Sequence, residues 1–133
     1  MIFVDTSFWI AAAIEPDAYH EQASELLSRN AAAVLATSNQ VIGETWTFVR
    51  RRFGHRVAVS LIDRIDRTPR LRTIRIDREA EREAWQWLRT RAEREYSYVD
   101  ATSFALMRSL RIREAFAFDG DFTAAGFVEL RPA

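Results

Sequence analysis

Ile2-Phe3-Val4 is an uninterrupted apolar run that stops at a carboxylate, Asp5, followed by the hydroxyl residues Thr6 and Ser7. A strand with one wet face alternates polar and apolar side chains, whereas a strand buried on both faces shows a continuous run. Such strands belong to parallel sheets covered by helices on both sides, and ligands there collect beyond the carboxyl ends of the strands. Asp5 is the first residue past such an end. Taken alone it reads more readily as the N-cap of the next helix, with Thr6 and Ser7 assisting, than as a residue that carries chemistry. What other segments bring to the same edge decides between the two.

The rest of the chain alternates strand and helix. Ser7 to Ile14 is a short apolar helix, and Pro16-Asp17 opens a second that runs to about Asn30 with Tyr19, Ala23, Leu26 and Leu27 as its apolar stripe. Val34 to Thr37 is a strand, after which Ser38-Asn39 caps a helix that Gly54 ends. His55 to about Arg67 is helical, with Val57, Leu61, Ile62 and Ile65 on one side, and Leu71 to Ile76 alternates as a strand. Asp77 caps a helix with Ala80, Ala84, Trp85 and Leu88 inward and a mixed arginine and glutamate face outward. Ser97 and Asp100 have capping-box spacing for a helix to about Leu110. Ala115 to Phe118 is a strand, Asp119 to Phe122 a turn, and Gly126 to Leu130 the last strand. This order, with crossovers of helical length, predicts an α/β fold with a mostly parallel sheet covered on both faces, formed by residues 1–133 as a single domain.

Composition narrows the chemistry by exclusion. There is no cysteine, so zinc-thiolate sites, disulfide frameworks and thiol nucleophiles are absent. All 19 basic residues are arginine, which removes any mechanism built on a lysine, and the formal charge is zero. Any phosphate contact must therefore come from local clusters rather than a global basic field. No stretch is long and apolar enough to span a membrane, and the apolar N-terminus lacks the basic flank of a signal peptide, so the expected compartment is cytoplasmic.

Two helices carry acids where apolar residues are expected. Glu44 is in line with Val41, Phe48 and Arg52 at spacings of three, four and eight, and Asp100 is in line with Phe104 and Met107. A carboxylate on the side of a helix that faces the core must pair, protonate or bind a metal, and neither helix offers a lysine or histidine one turn away. An arginine from elsewhere is the other explanation for Glu44, and the capping box with Ser97 the other for Asp100. Asp119 repeats the arrangement of Asp5, an acid at the end of a short apolar strand, and Asp121 either joins it or shapes the turn. Carboxylates without histidine or cysteine suit the hard cations Mg²⁺ and Mn²⁺, whose shells are completed by water and substrate phosphate oxygens. Metal-assisted hydrolysis of a phosphodiester is the chemistry that fits.

With these residues assembled, the chain resembles the PIN-domain family, specifically the VapC-like toxin ribonucleases of type II toxin-antitoxin systems. The resemblance rests on Val4-Asp5-Thr6-Ser7, Glu44, Tyr98-Val99-Asp100-Ala101-Thr102-Ser103-Phe104 and Phe118-Asp119-Gly120-Asp121-Phe122 before Gly126-Phe127, and it spans essentially the whole chain. It implies a three-layer α/β/α sandwich and a Mg²⁺- or Mn²⁺-dependent endoribonuclease acting on single-stranded or loop RNA such as tRNA or rRNA. It implies that Asp5, Glu44, Asp100 and Asp119 form an acidic tetrad, with Asp121 nearby and with Thr6 or Ser7, and Ser103, holding metal-bound water or substrate. It also implies a homodimer, and a cognate antitoxin whose C-terminal segment occludes the site.

Other conspicuous residues have simpler explanations. Arg50, Arg51 and Arg52 sit at a helix C-terminus, where cations complement the dipole, so a solvated face is the first reading and RNA-backbone contact the second. Trp9 and Trp46 read as core, and His20 and His55 as structural or surface residues. Among other classes, a receiver-like Mg²⁺-binding signalling domain also gathers acids at parallel strand ends but uses a lysine, and a phosphatase of the haloacid dehalogenase type needs an aspartate where Ser7 stands. A PIN scaffold without activity, binding RNA or protein, is the remaining alternative.

Overall fold

The computed structural model describes residues 1–133, and its elements run β1 (Ile2–Val4), α1 (Thr6–Ala13), α2 (His20–Arg29), β2 (Leu35–Ser38), α3 (Asn39–Phe53) and α4 (His55–Asp66). They continue with β3 (Leu71–Ile74), α5 (Arg78–Arg89), α6 (Tyr98–Leu110), β4 (Glu114–Phe116), α7 (Asp121–Ala124) and β5 (Val128–Glu129). The strands form one five-stranded sheet in the order β3-β2-β1-β4-β5, and every pairing is parallel. The expected α/β/α sandwich is the fold observed, with the sheet parallel throughout. All three residues of β1 are buried, as its continuous apolar run requires of a central strand covered on both faces. β3, at one edge, has its two middle residues, Arg72 and Thr73, both exposed, so the strict alternation expected for Leu71 to Ile76 is not the pattern of burial observed.

In this order successive strands are laid to one side of β1 as far as β3, and the chain then crosses to the other side with β4. The reversal opens a crevice between the carboxyl ends of β1 and β4, because the connections leaving these two strands depart to opposite faces of the sheet. The Asp5 N–H donates to the Phe116 carbonyl oxygen at 3.0 Å, extending the β1–β4 ladder right up to the acid. Asp5 and Asp119 therefore leave adjacent strands on the same edge.

Element boundaries depart from the sequence expectation in informative ways. α2 begins at His20 rather than Pro16, since residues 15–19 form turns in which the Asp17 carboxylate accepts the Tyr19 N–H at 2.9 Å. Tyr19 consequently lies outside the helical stripe and is 41% exposed, while Ala23 and Leu26 carry the buried face. β4 ends at Phe116, but Ala117 and Phe118 remain buried as the chain turns toward the site. Asp121 to Ala124, read as part of a turn, closes into one turn of helix. Trp85 does not face inward: it is 47% exposed and packs on Tyr98, and Trp87 instead reaches the core. On a helix whose polar residues outnumber its apolar ones, two tryptophans two positions apart cannot both be buried, and the one in phase with Ala80 and Ala84 at helical spacing is Trp87.

Phe104 organises the packing on the α6 side. It is fully buried and meets Trp87, Tyr96, Phe122 and Phe127 at ring-centroid distances of 5.1, 5.8, 5.0 and 5.6 Å. Edge-to-face and offset contacts of this kind add to the stabilisation from burial alone. Phe104→Ala is expected to lower the unfolding free energy by about 3–5 kcal/mol, read from the urea midpoint at constant m-value.

Candidate active site

Asp5 is placed by two neighbours. Its Oδ2 accepts the Ser7 N–H at 3.2 Å and the Ser7 hydroxyl at 2.8 Å, and the Ser7 oxygen in turn accepts the Phe118 N–H at 3.0 Å. Asp5 is thus the N-cap of α1, as a sequence reader first assumes, and it uses only one oxygen for that purpose. The other, Oδ1, is buried and has no hydrogen-bond partner. Ser7 holds Asp5 and the start of the 118–121 segment rather than standing free for a ligand.

Glu44 reaches the same cleft from α3. Its Oε1 accepts the Thr6 hydroxyl at 2.7 Å, and Thr6 is linked to Thr45 Oγ1, 3.2 Å away. The stripe of α3 that packs on the core is Val41, Thr45 and Val49, one position along from the stripe inferred through Glu44. Phe48 is 38% exposed, so Glu44, Phe48 and Arg52 form the flank of the helix beside the cleft rather than its core face. The apolar Phe48 disguised that flank as buried. A cleft of about 450 Å³ is lined by Asp5, Thr6, Ser7, Glu44 and Asp119, together with Ile10, Asp17, Tyr19, Phe48 and Phe118.

Asp100 fulfils both readings proposed for it. Its Oδ2 accepts the Ser97 N–H at 3.1 Å, while its own N–H donates to Ser97 Oγ at 2.9 Å, completing the capping box of α6. The same residue belongs to a group with Asp119 and Asp121 whose ligand oxygens all lie within 4.8 Å of one another. Asp119 is exposed as a residue at the lip of the cleft, yet its carboxyl end joins this group, and it alone belongs both to the group and to the wall of the cleft. Ser103, one turn beyond Asp100 on α6, is fully buried with its hydroxyl unpartnered.

The four acids expected from sequence are therefore brought to one place, and the electrostatic cost is visible in their acidities. Burial, then the charges of Asp119 and Asp100, pushes the Asp5 carboxyl well above the usual range, against the two bonds from Ser7. Burial raises Asp100 to about 7, with the Ser97 N–H opposing and Asp121, Asp119 and Glu44 adding to the rise. Loss of water raises Asp119 to about 6, opposed by the Asp121 N–H, and burial also raises Glu44 despite the Thr6 bond. A buried, unpartnered carboxylate oxygen beside further carboxyls of raised pKa is a set of oxygen donors whose ionised form a cation would favour. Oxygen donors alone suit a hard divalent ion.

The arginine cluster divides. Arg51 and Arg52 line a second groove of about 540 Å³ that shares Glu44 and Phe48 with the acidic cleft, and the Arg52 guanidinium lies 5.4 Å from the Phe48 ring centroid. Arg50 lines neither hollow. Trp9 is buried as expected, Trp46 is half-buried against the core, and His20 contacts the Ala11 carbonyl at 2.8 Å in a structural role.

Three residues escaped the sequence reading. Tyr19 stacks on Phe118 at 4.6 Å and forms part of the cleft wall. Glu129, its side chain almost fully buried, accepts the N–H groups of Gly120 at 3.2 Å and Thr123 at 2.9 Å, and so braces the segment carrying Asp119 and Asp121. Arg94 binds Asp121 directly, with Nε 2.6 Å from Oδ1. No spacing rule reveals the partners of Tyr19 and Arg94, which are far in sequence from what they touch, and Glu129 reaches back six and nine positions around a turn.

Residues 2–128 match the PIN domain family, and the chain belongs to it. The chain is similar to the 23S rRNA-specific endonuclease VapC20 of Mycobacterium tuberculosis, in strains CDC 1551 and H37Rv. Each is 52% identical to this chain over 132 residues, 99% of both partners. The crystal structure of M. tuberculosis VapC20, described as a sarcin-ricin loop cleaving toxin, matches with a TM-score of 0.92 and 51% identity, covering 99% of this chain and all of that one. Membership removes the receiver-like and dehalogenase-like alternatives.

The raised acidities have a measurable consequence. A carboxyl whose pKa is higher in the folded than the unfolded state keeps its proton longer when folded, so stability is lost as pH rises from the ordinary 3.8 of aspartate to about 7 for Asp100. In EDTA, the urea midpoint is expected to be higher at pH 5 than at pH 8. Asp5→Asn keeps an N-cap acceptor while removing one charge, and is expected to raise the pH 8 midpoint and flatten the profile; a wild-type profile without slope would contradict the burial of these charges.

Proposed function

We propose that this protein is the endoribonuclease toxin of a type II toxin-antitoxin pair, hydrolysing a phosphodiester bond in loop RNA. By analogy with the VapC20 relative at 52% identity, the substrate is the sarcin-ricin loop of 23S rRNA. The observation that carries the reading is the buried and unpartnered Asp5 Oδ1 at the sheet's switch point, facing a cleft that Glu44 and Asp119 share. An inactive scaffold has no use for so costly a concentration of charge.

In this reading Asp5, Glu44, Asp100 and Asp119 would hold Mg²⁺ or Mn²⁺, and Asp121, grouped with Asp100 and Asp119, would support them. Such a cation supplies Lewis-acid polarisation of the phosphoryl group and a water acidic enough to attack near neutral pH. The protein's own residues prepare the site. Ser7 fixes Asp5 and ties it to Phe118, so the acids at the ends of β1 and β4 keep their separation. Thr6 turns Glu44 toward the cleft. Asp100 and Asp119, whose pKa values burial raises to about 7 and about 6, are the acids that a bound cation would hold in the ionised, ligating form. Tyr19, Phe48 and Phe118 give the cleft aromatic walls against which an unstacked loop base can lie. Arg51 and Arg52, in the adjoining groove, are placed to follow the RNA backbone, and Arg50 lies farther out on the same helix end.

The partners that accompany this function are the RNA substrate and an antitoxin protein. No helix is long and apolar enough to cross a membrane. We place the protein in the cytoplasm, as one domain over residues 1–133 that forms a homodimer.

Purified protein freed of antitoxin is expected to cut a sarcin-ricin stem-loop RNA with Mn²⁺ or Mg²⁺. Asp5→Asn should slow that cut by at least ~100-fold, the upper end for loss of a group that supports metal binding. Mapping RNA ends by primer extension, with and without EDTA, checks both; equal cleavage in EDTA would overturn the metal-dependent reading.

A further inference from the structure

The loop between α5 and α6, residues 90–97, carries exposed charged residues and reads as solvated chain. One of them does not behave so. Arg94 donates from Nε to Asp121 Oδ1 at 2.6 Å and from Nη2 to the Asp119 carbonyl oxygen at 3.1 Å. A guanidinium has five donors in a rigid fork. These two bonds occupy its side edge, on Nε and Nη2, and leave the end edge free. Nη1 makes no hydrogen bond within the protein, and the side chain is 41% exposed. Glycine at position 120 makes the approach possible: a Cβ there would come 3.2 Å from Nη2, and its positive φ of 83° suits glycine.

Arg94 is the only arginine bonded to the acid group formed by Asp100, Asp119 and Asp121. One cation cannot neutralise that group together with Asp5 and Glu44, so charge balance is not a sufficient account of it. Its geometry instead matches a fork held in place from one side. The loop that holds it is in turn tied to the acids it serves.

We propose that Arg94 is a substrate-binding residue of the nuclease site, presenting its free end edge to a non-bridging phosphate oxygen of the RNA beside the acids, with Asp121 acting as the positioning residue that fixes the guanidinium. The proposal rests on the ribonuclease reading given above. Arginine suits the task because its planar fork holds two oxygens at once, whereas lysine offers a point charge.

The test measures RNA binding as well as cutting. In an Asp5→Asn background with Mn²⁺ present, fluorescence anisotropy with a single-stranded RNA oligonucleotide gives the dependence of log Kd on log salt. Arg94→Ala is expected to reduce that slope by about 0.7, the value for one lost phosphate contact on a single strand. Arg94→Lys retains the charge and should retain most of the slope, while losing the fork. In the active background, Arg94→Ala should lower kcat/KM on the order of 10- to 100-fold, as expected for a charge-assisted hydrogen bond. Asp121→Asn should weaken the Arg94 contribution, so that the double variant loses less than the sum of the singles. A salt slope unchanged in Arg94→Ala overturns the proposal, and a parallel loss of Mn²⁺ affinity by electron paramagnetic resonance would then assign Arg94 to bracing the loop alone. Wild-type protein that cuts RNA while Arg94→Ala matches it sinks this inference only; wild-type protein that neither cuts nor binds RNA sinks the ribonuclease reading with it.

Discussion

Mutual repulsion among carboxylates held out of water is the constraint on which the rest of this structure depends. Burial is the largest cause of the raised pKa at Asp5, Asp100 and Asp119, and the charge of neighbouring acids adds to it at every one of them. Left alone, such groups would separate or draw in water. They stay together because each is anchored by backbone that cannot move independently: an N-cap at Asp5, a capping box at Asp100, and a turn whose Asp119 Oδ1 accepts the Asp121 N–H at 3.1 Å. Folding energy from the aromatic and aliphatic core thereby holds together carboxyl groups whose ionisation burial disfavours.

The bracing comes both from the far end of the chain and from local contacts. Ser7 connects the end of β1 to Phe118, and Glu129 on β5 holds the N–H groups of Gly120 and Thr123. Arg131 donates to Glu129 at 3.0 Å and lies 4.9 Å from the Phe118 ring centroid, with Tyr19 on Phe118 as well. The segment that delivers Asp119 and Asp121 is therefore fixed from β1, β5 and the C-terminal residues together. Strand ends and helix caps are rigid elements on which side chains can be positioned precisely.

Much of this was legible in the chain. The alternation of apolar runs with helical stripes gave five strands and their parallel arrangement, because the periods of helix and strand are written in local sequence. Asp5 and Asp119 were found by their position after apolar runs, and Asp100 by its phase with Phe104 and Met107. Glu44 was reached by a less sound route: the stripe through Phe48 is a solvent-facing flank, and the core stripe is Val41, Thr45 and Val49. Tyr19 and Trp85 were assigned inward and lie exposed, since an apolar side chain at helical spacing carries no mark of whether another element covers it.

The sequence by itself determined which elements form, which of their ends carry carboxylates, and that the chemistry uses neither sulfur nor lysine, all of which follow from residue type and short-range spacing. Only the tertiary structure decided that β1 and β4 are neighbours, so that Asp5 and Asp119 share a cleft, and that Thr6 meets Glu44 across 38 positions. It also decided that Arg94 meets Asp121 across 27 positions. The physical reason is that pairings over such separations are selected by the packing of whole elements, which local propensity does not encode. The reading of Asp5 shows the division most plainly: its sequence made it a cap, and its neighbours in space left the second oxygen buried without a hydrogen-bond partner.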